Sequence, residues 1–481
     1  MKPYTAALLC GLGLAAVHPG SAEAQVPETS VPAQDRTGVE LTVYGDGTTL
    51  VKDRRRISLQ RGVGLLAFQG VSGALQPETA LLRPAGEGPA FRVVEQVYDF
   101  HTLGRDTLLR SAEGGNVILV TTNPATGEEQ RQEARLISAR NGSVVVEVDG
   151  RVEVDPPGRI QFPALPPGLR AEPTLSARLD AEGSGEREVE LSYLAGGLSW
   201  RADYVAELPA EGGDRLDLRG WVTVTNDSDT AFPEARLKVV AGEPRRVSQP
   251  PQPQMRTMMM KSLEMAAPAM AQDVAEQAIG GYHLYDIDRP VDIAPRQTKQ
   301  IELLGAPTVA FERQLIAQAQ PYLFRSRVGE LPEEAAEIVL SVKNDEESGL
   351  GMPLPGGVVR AYQRDASGAM QFLGEDRLNH TATGQEIRLT LGRDMDVPVR
   401  RRQTEFQRVS DNVWESSHEV RVINGKGQPV TVILREHVGG DWEILQESAE
   451  HTRFDATTPE WQLQVPAGGE TVLTYRVRVR M

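Results

Sequence analysis

The chain has 481 residues, with 51 Lys and Arg against 67 Asp and Glu, for a formal net charge of −16. That balance argues against nucleic acid and anionic lipid as partners, because both select Lys- and Arg-rich faces. Apolar residues make up 40% of the chain, enough for a core, and 46 Gly with 32 Pro favour many turns between short strands.

Residues 1–24 read as a signal peptide. Lys2 supplies a positive start, residues 6–17 an apolar run, and Ala22-Glu23-Ala24 a small-residue cleavage site. The run is shorter than the ~20 residues a membrane helix needs. No later stretch is longer, so no transmembrane segment is expected, and the predicted location is periplasmic or secreted. Cys10 is the only cysteine and would leave with the leader. The mature chain is therefore expected to lack disulfides, a thiolate nucleophile and Cys-bound zinc.

Residues 25–37 are polar and read as a flexible lead-in. Residues 38–98 form a first predicted β unit, in which Leu41 and Val43 alternate with Thr42 and Tyr44 before a Gly45-Asp46-Gly47 turn. Residues 99–165 are predicted to make a small β barrel-like unit. Its clearest signal is Asn141-Gly142 between residues 134–139 and 143–148, since Asn-Gly accepts the positive φ angles of tight hairpins. A β-sandwich is predicted to start in residues 166–247 and resume in 281–400, with a C-terminal sandwich over 401–481. Between them, residues 248–280 form a Pro- and Met-rich insertion, read as flexible, with a helix expected over 271–278.

One pattern recurs. Val222 and Val224 lead to Asn226, Ile338, Leu340 and Val342 lead to Asn344, and Val420 and Val422 lead to Asn424. An Asn there can begin a turn by bonding nearby backbone, and the spacing fits repeated sandwich units of ~100 residues. In the last strand Tyr475, Val477 and Val479 face one way. Arg476, Arg478 and Arg480 face the other, toward solvent, where they discourage edge pairing, or toward carboxylates of a neighbour. The predicted fold class is all-β.

The chemistry is sparse. The six histidines beyond the leader are scattered without a His-x-His or His-Glu-x-x-His spacing, and there is no Gly-x-Ser-x-Gly elbow and no phosphate loop. No cofactor is expected. Met258, Met259 and Met260 could offer three thioethers to Cu(I), or pack as an apolar segment. A hydrolase acting on envelope glycan or peptide could use a carboxylate pair, but an acidic chain has too many to single one out. Three loops combine Gly or Pro with large side chains: residues 196–204, 283–290 and 350–357. Trp200, Arg201, Tyr204 and Tyr285 are the candidate ligand contacts there, because aromatics and Arg make contact anchors. The same aromatics could instead plug the core between sheets.

These loops also carry a resemblance. The Trp200 segment, the strand to Asn226 with residues 235–241, residues 283–290 and 349–362, and Phe372-Leu373-Gly374-Glu375-Asp376 resemble the bacterial domain of unknown function 4139. Asp441-Trp442-Glu443-Ile444 and Pro466-Ala467-Gly468-Gly469-Glu470 extend the likeness, which covers roughly residues 185–481. It implies an exported β-sandwich protein of the envelope and carries over no catalytic residues. Some relatives, termed mucoidy inhibitors, have a coiled coil before this domain, whereas no heptad run precedes Tyr193 here. The combined expectation is a non-enzymatic binding or scaffolding module whose partner is an envelope protein or glycan.

Overall fold

A computed structural model describes residues 28–99, 104–140, 142–164, 169–210, 213–242, 244, 275–279 and 281–481. The leader and Met258, Met259 and Met260 lie outside the described residues, as does most of the insertion. Strand accounts for 65% of the structure, arranged in five sheets, so the chain is all-β in class. Among the described residues there is one α-helix, Arg105–Ser111, and no helix is long and apolar enough to cross a membrane.

The chain forms two compact units, each assembled from separated segments. The first contains Arg54–Val71 and Leu82–Glu190, with the described N-terminal residues 28–37. Its four-stranded sheet runs in the order Glu28–Val31, Gly62–Gln69, Thr174–Ala181, Phe91–Asp99. Its five-stranded sheet runs Arg151–Val154, Ser143–Val148, Glu129–Arg140, Asn116–Thr122, Arg159–Gln161. The hairpin predicted here forms, with Gly142 at φ +80° and Arg140 opposite Ser143, and Asn141 lies outside the described residues. Val144, Val146 and Val148 alternate onto a core shared with Leu136, Val117 and Leu119.

This second sheet is not the barrel expected over 99–165. It curls enough for four residues to carry the chain from one edge strand to the other, yet the ladder stays open. The seam falls at Pro156-Pro157, which have no N–H to donate. The strands either side, Arg151–Val154 and Arg159–Gln161, pair only inward.

The second unit contains Gly38–Asp53, Ser72–Leu81 and Leu191–Met481. Here Phe232–Ala241 lies between Tyr282–Asp286, antiparallel, and the N-terminal segment around Leu41, parallel. Ala275–Ile279 is a strand paired with Tyr282–Asp286, which corrects the helix expected over 271–278. Gly281, at φ +89°, lies in the reversal, and the ladder outweighs the alanines' helix propensity.

A five-stranded sheet follows, in the order Gln297–Ala310, Arg215–Asn226, Leu198–Leu208, Gly357–Arg364, Met370–Leu378. Its inner face contributes Ala202, Tyr204, Leu218, Val359 and Ala361 to a core with Leu340, Val342 and Leu389. Gly357 is required there, because a Cβ would stand 2.3 Å from the Ala202 carbonyl oxygen.

The remaining nine-stranded sheet has the order Asp441–Glu447, Glu470–Arg480, Val413–Ile423, Glu386–Ser410, Glu334–Lys343, Glu312–Ala319, Val430–Glu436, Thr458–Val465, Thr452–Asp455. It folds around one core in which Trp442 from one edge strand meets Trp461, Leu463 and Val465 from near the other. The Trp442 indole N–H donates to the Ala456 carbonyl at 2.9 Å, tying the two ends together without a shared ladder. Glu470–Arg480 is an interior strand, so its arginines do not guard an edge. Arg476 and Arg478 grip Glu415 of the adjacent strand at 2.7 and 2.8 Å.

The recurring Asn is one device used three times, and each copy is buried. Asn226 Nδ2 donates to the carbonyls of Thr230 and Ala294 at 2.9 and 3.0 Å. Asn344 Nδ2 donates to Met352 and Ala382 at 2.8 and 3.1 Å. Asn424 Nδ2 donates to Gln428 and Pro466 at 2.8 and 3.1 Å. Each Oδ1 accepts a backbone N–H, from Ser228, Gly351 and Lys426 respectively. In every copy the amide pins the loop that follows its own strand to the turn that opens the antiparallel partner. Gln297 and Gln385 even repeat a second bond, each accepting the backbone N–H of the residue three positions earlier.

Candidate functional site

Strand alternation divides the segment singled out from the sequence. In Leu198–Leu208, Ala202, Tyr204 and Ala206 point into the core, while Arg201, Asp203 and Val205 point out. Tyr204 is fully buried and its hydroxyl donates to the Pro355 carbonyl at 2.8 Å. Tyr285 is fully buried as well, and its hydroxyl donates to the Pro353 carbonyl at 3.1 Å. Burial raises the Tyr204 hydroxyl well above the usual tyrosine range, so it remains a donor. The three loops thus do come together, but as a clamp: two core tyrosines hold the carbonyls of residues 353 and 355. Gly220 lies under Tyr204, where a Cβ would stand 3.0 Å from the ring. Trp200 packs on the same core, half-buried. Of the four residues, Arg201 alone is exposed.

Arg201 leads to a feature the sequence did not single out. Asp203 is almost wholly buried on the outer face of the sheet, as is Thr223 beside it, while Arg201, Arg219 and Gln300 on that face are exposed. Its carboxylate takes Arg201 at 3.0 Å, Arg360 at 3.1 Å and the Thr223 hydroxyl at 2.7 Å. Arg360 continues to Glu375 at 3.2 Å, and Gln300 donates to the Thr223 hydroxyl at 3.3 Å. This polar line crosses all five strands. Beside it, Arg364 approaches Glu207 at 3.8 Å. Three guanidinium groups therefore face three carboxylates, and the line is neutral.

Aromatic rings sit on either side of it. Trp221 is in register with Asp203, and so on the same face, and is half-buried. Tyr362 is in register with Glu207 on the other flank. It meets the exposed Phe372 edge-on, with ring centroids 5.6 Å apart. Such a face offers fixed hydrogen-bonding groups between flat apolar patches, in a geometry its own ion pairs hold before any ligand arrives. Asp203 already accepts from three donors, so its part is to position the arginines.

A second titratable cluster lies inside the nine-stranded sheet. Glu436 accepts from the Tyr475 hydroxyl at 3.0 Å and from Arg401 at 3.4 Å. Burial pushes the Glu436 carboxyl up, opposed by Arg401. His418 stacks on Tyr475 with centroids 5.2 Å apart, and its Nε2 lies 2.9 Å from the Ser416 hydroxyl. That pairing has the look of a nucleophile and its base, but burial holds His418 down at about 4, too weak a base to activate a serine near neutrality. Ser416 and His418 are both buried, and the pair acts in packing.

Among the described residues no group of three or more His, Cys, Asp or Glu is placed to hold a metal ion. Fold and site together define an all-β chain with a pre-ordered line of ion pairs and hydrogen bonds across the outer face of one sheet. A family model matches residues 189–481, and the chain belongs to the family named for this domain of unknown function, DUF4139. No curated protein matches it.

Proposed function

We propose that this chain is an exported, non-enzymatic binding module of the cell envelope. The contact surface in this reading is the outer face carrying Trp221, Asp203, Arg360 and Tyr362, and the ligand is a neutral envelope glycan. One observation carries the reading: the neutral Arg201–Asp203–Arg360–Glu375 line, fixed by contacts of 3.0–3.2 Å, lies between aromatic rings. Balanced charge gives no long-range pull on a polyanion or polycation. Planar guanidinium and carboxylate groups suit hydroxyl-rich ligands, and exposed ring faces suit their apolar C–H surfaces. Export is supported by the leader pattern of residues 1–24 and by the absence of cysteine after Cys10.

The test is retention of the leader-free chain on immobilised envelope glycans, with Trp221→Ala and Tyr362→Ala alongside. Retention that drops about tenfold in each variant supports the assignment. Retention unchanged in both variants, or turnover of the retained glycan, overturns it.

A further inference from the structure

A separate groove of about 430 Å³ opens on the nine-stranded sheet, where Glu386–Ser410 and Val413–Ile423 pair past a bulge. Thr404 is the extra residue of that bulge and has no partner in the ladder. The groove is lined by two acids and two bases, and these divide into a satisfied pair and an unsatisfied one. Glu415 is taken by Arg476 and Arg478 at 2.7 and 2.8 Å, and Arg478, followed by Arg476, holds its carboxyl below the usual range. Glu405 is 69% exposed and reaches Arg476 only at 3.9 Å and the Ser417 hydroxyl at 3.4 Å. Arg327 is exposed and, among the described residues, makes no ion pair; its one hydrogen bond is to the Phe406 carbonyl at 3.4 Å.

One cavity is therefore lined by a carboxylate and a guanidinium that each make only long contacts, and no ion pair joins the two among the described residues. A single anion would meet Glu405, and a single cation would meet Arg327. A ligand carrying both charges satisfies both. Taken as a sphere, the groove is roughly 9 Å across, and an extended dipeptide spans about 7 Å at ~3.5 Å per residue. Phe406 is the one apolar residue of a lining that is otherwise polar, and the bulge at Thr404 leaves backbone outside the ladder beside it.

We propose that this groove binds a zwitterionic, free-ended short peptide, its ammonium group on Glu405 and its terminal carboxylate on Arg327. The site is independent of the glycan-facing sheet.

Calorimetric titration of the full leader-free chain with Ala-Ala, N-acetyl-Ala-Ala and Ala-Ala-amide tests this. Each cap is expected to weaken binding about tenfold. In Glu405→Gln the acetyl cap should no longer matter while the amide cap still does, and Arg327→Gln should show the reverse. Both side chains are exposed, and circular dichroism matching the parent confirms that the variants fold. No heat at millimolar Ala-Ala, equal binding of all three peptides, or variants that keep the parent's discrimination overturns the proposal.

Discussion

Replacing Asn424 with alanine removes one amide and strands everything it joins. Its Nδ2 serves the carbonyls of Gln428, Pro466 and Val465 at 2.8, 3.1 and 3.3 Å, and its Oδ1 serves the Lys426 N–H at 2.9 Å. The residue is 1% exposed, so water does not readily replace these bonds. An orphaned buried N–H costs about 1–3 kcal/mol, and a carbonyl that loses one partner costs less. The sum is about 3–5 kcal/mol, a large part of the ~5–15 kcal/mol that holds a domain folded. Trp442 and Trp461 lie in the core of the same sheet, so urea unfolding followed by tryptophan fluorescence reads the loss as a lower midpoint. Asn424→Asp goes further, because a carboxylate has no N–H to give the three carbonyls. Its charged form is disfavoured in the fold, which raises its folded pKa; stability then falls as pH rises through that value, and acid partly restores it. A loss below about 1 kcal/mol in Asn424→Ala, or no loss in the matching Asn226→Ala and Asn344→Ala variants, refutes the reasoning.

Three further outcomes are expected. His418, held at about 4 by burial, is neutral when folded but takes a proton near 6.5 when unfolded; its share of stability is complete above pH 6.5 and falls by about 3 kcal/mol as pH drops to 4. Urea midpoints across that range should fall more steeply toward acid in the parent chain than in His418→Gln. Gly357→Ala drives a methyl group against the Ala202 carbonyl and should cost about 2–4 kcal/mol, with hydrogen exchange speeding up along Gly357–Arg364. Asp203→Asn should cost only about 1–2 kcal/mol by thermal unfolding, because Arg201 and Arg360 can turn toward solvent.

Alternation made the strands legible wherever one face is buried. Trp461, Leu463 and Val465, and Tyr475, Val477 and Val479, all point inward as the pattern reads. The three asparagines were also visible, since apolar residues at alternate positions ran into each. What the sequence did not show was pairing across long separations. Trp221 and Asp203 share a face only because of a register between two strands, and Arg360 joins them from 157 residues beyond Asp203. Tyr204 and Tyr285 drew notice as large side chains beside glycines and prolines, and such residues serve a core clamp as well as a binding loop. The helix expected over 271–278 rested on local propensity, which a neighbouring strand overrode. Barrel closure at 99–165 required the edge strands Arg151–Val154 and Arg159–Gln161 to pair with each other, and period-2 patterning does not say which edges meet.

The family's match begins at residue 189, but the fold of its unit begins earlier. Leu41 and Val43 lie in parallel register with Leu237 and Val239, filling one side of Phe232–Ala241. A fragment cut at residue 189 would leave that side bare, with free amides and carbonyls inviting a foreign chain to zip on. Aggregation of such a truncation would therefore be a property of where it was cut. In the intact molecule, the newborn amino-terminal stretch takes Thr49–Leu59 on one edge early, but its other edge must wait until almost two hundred more residues have emerged.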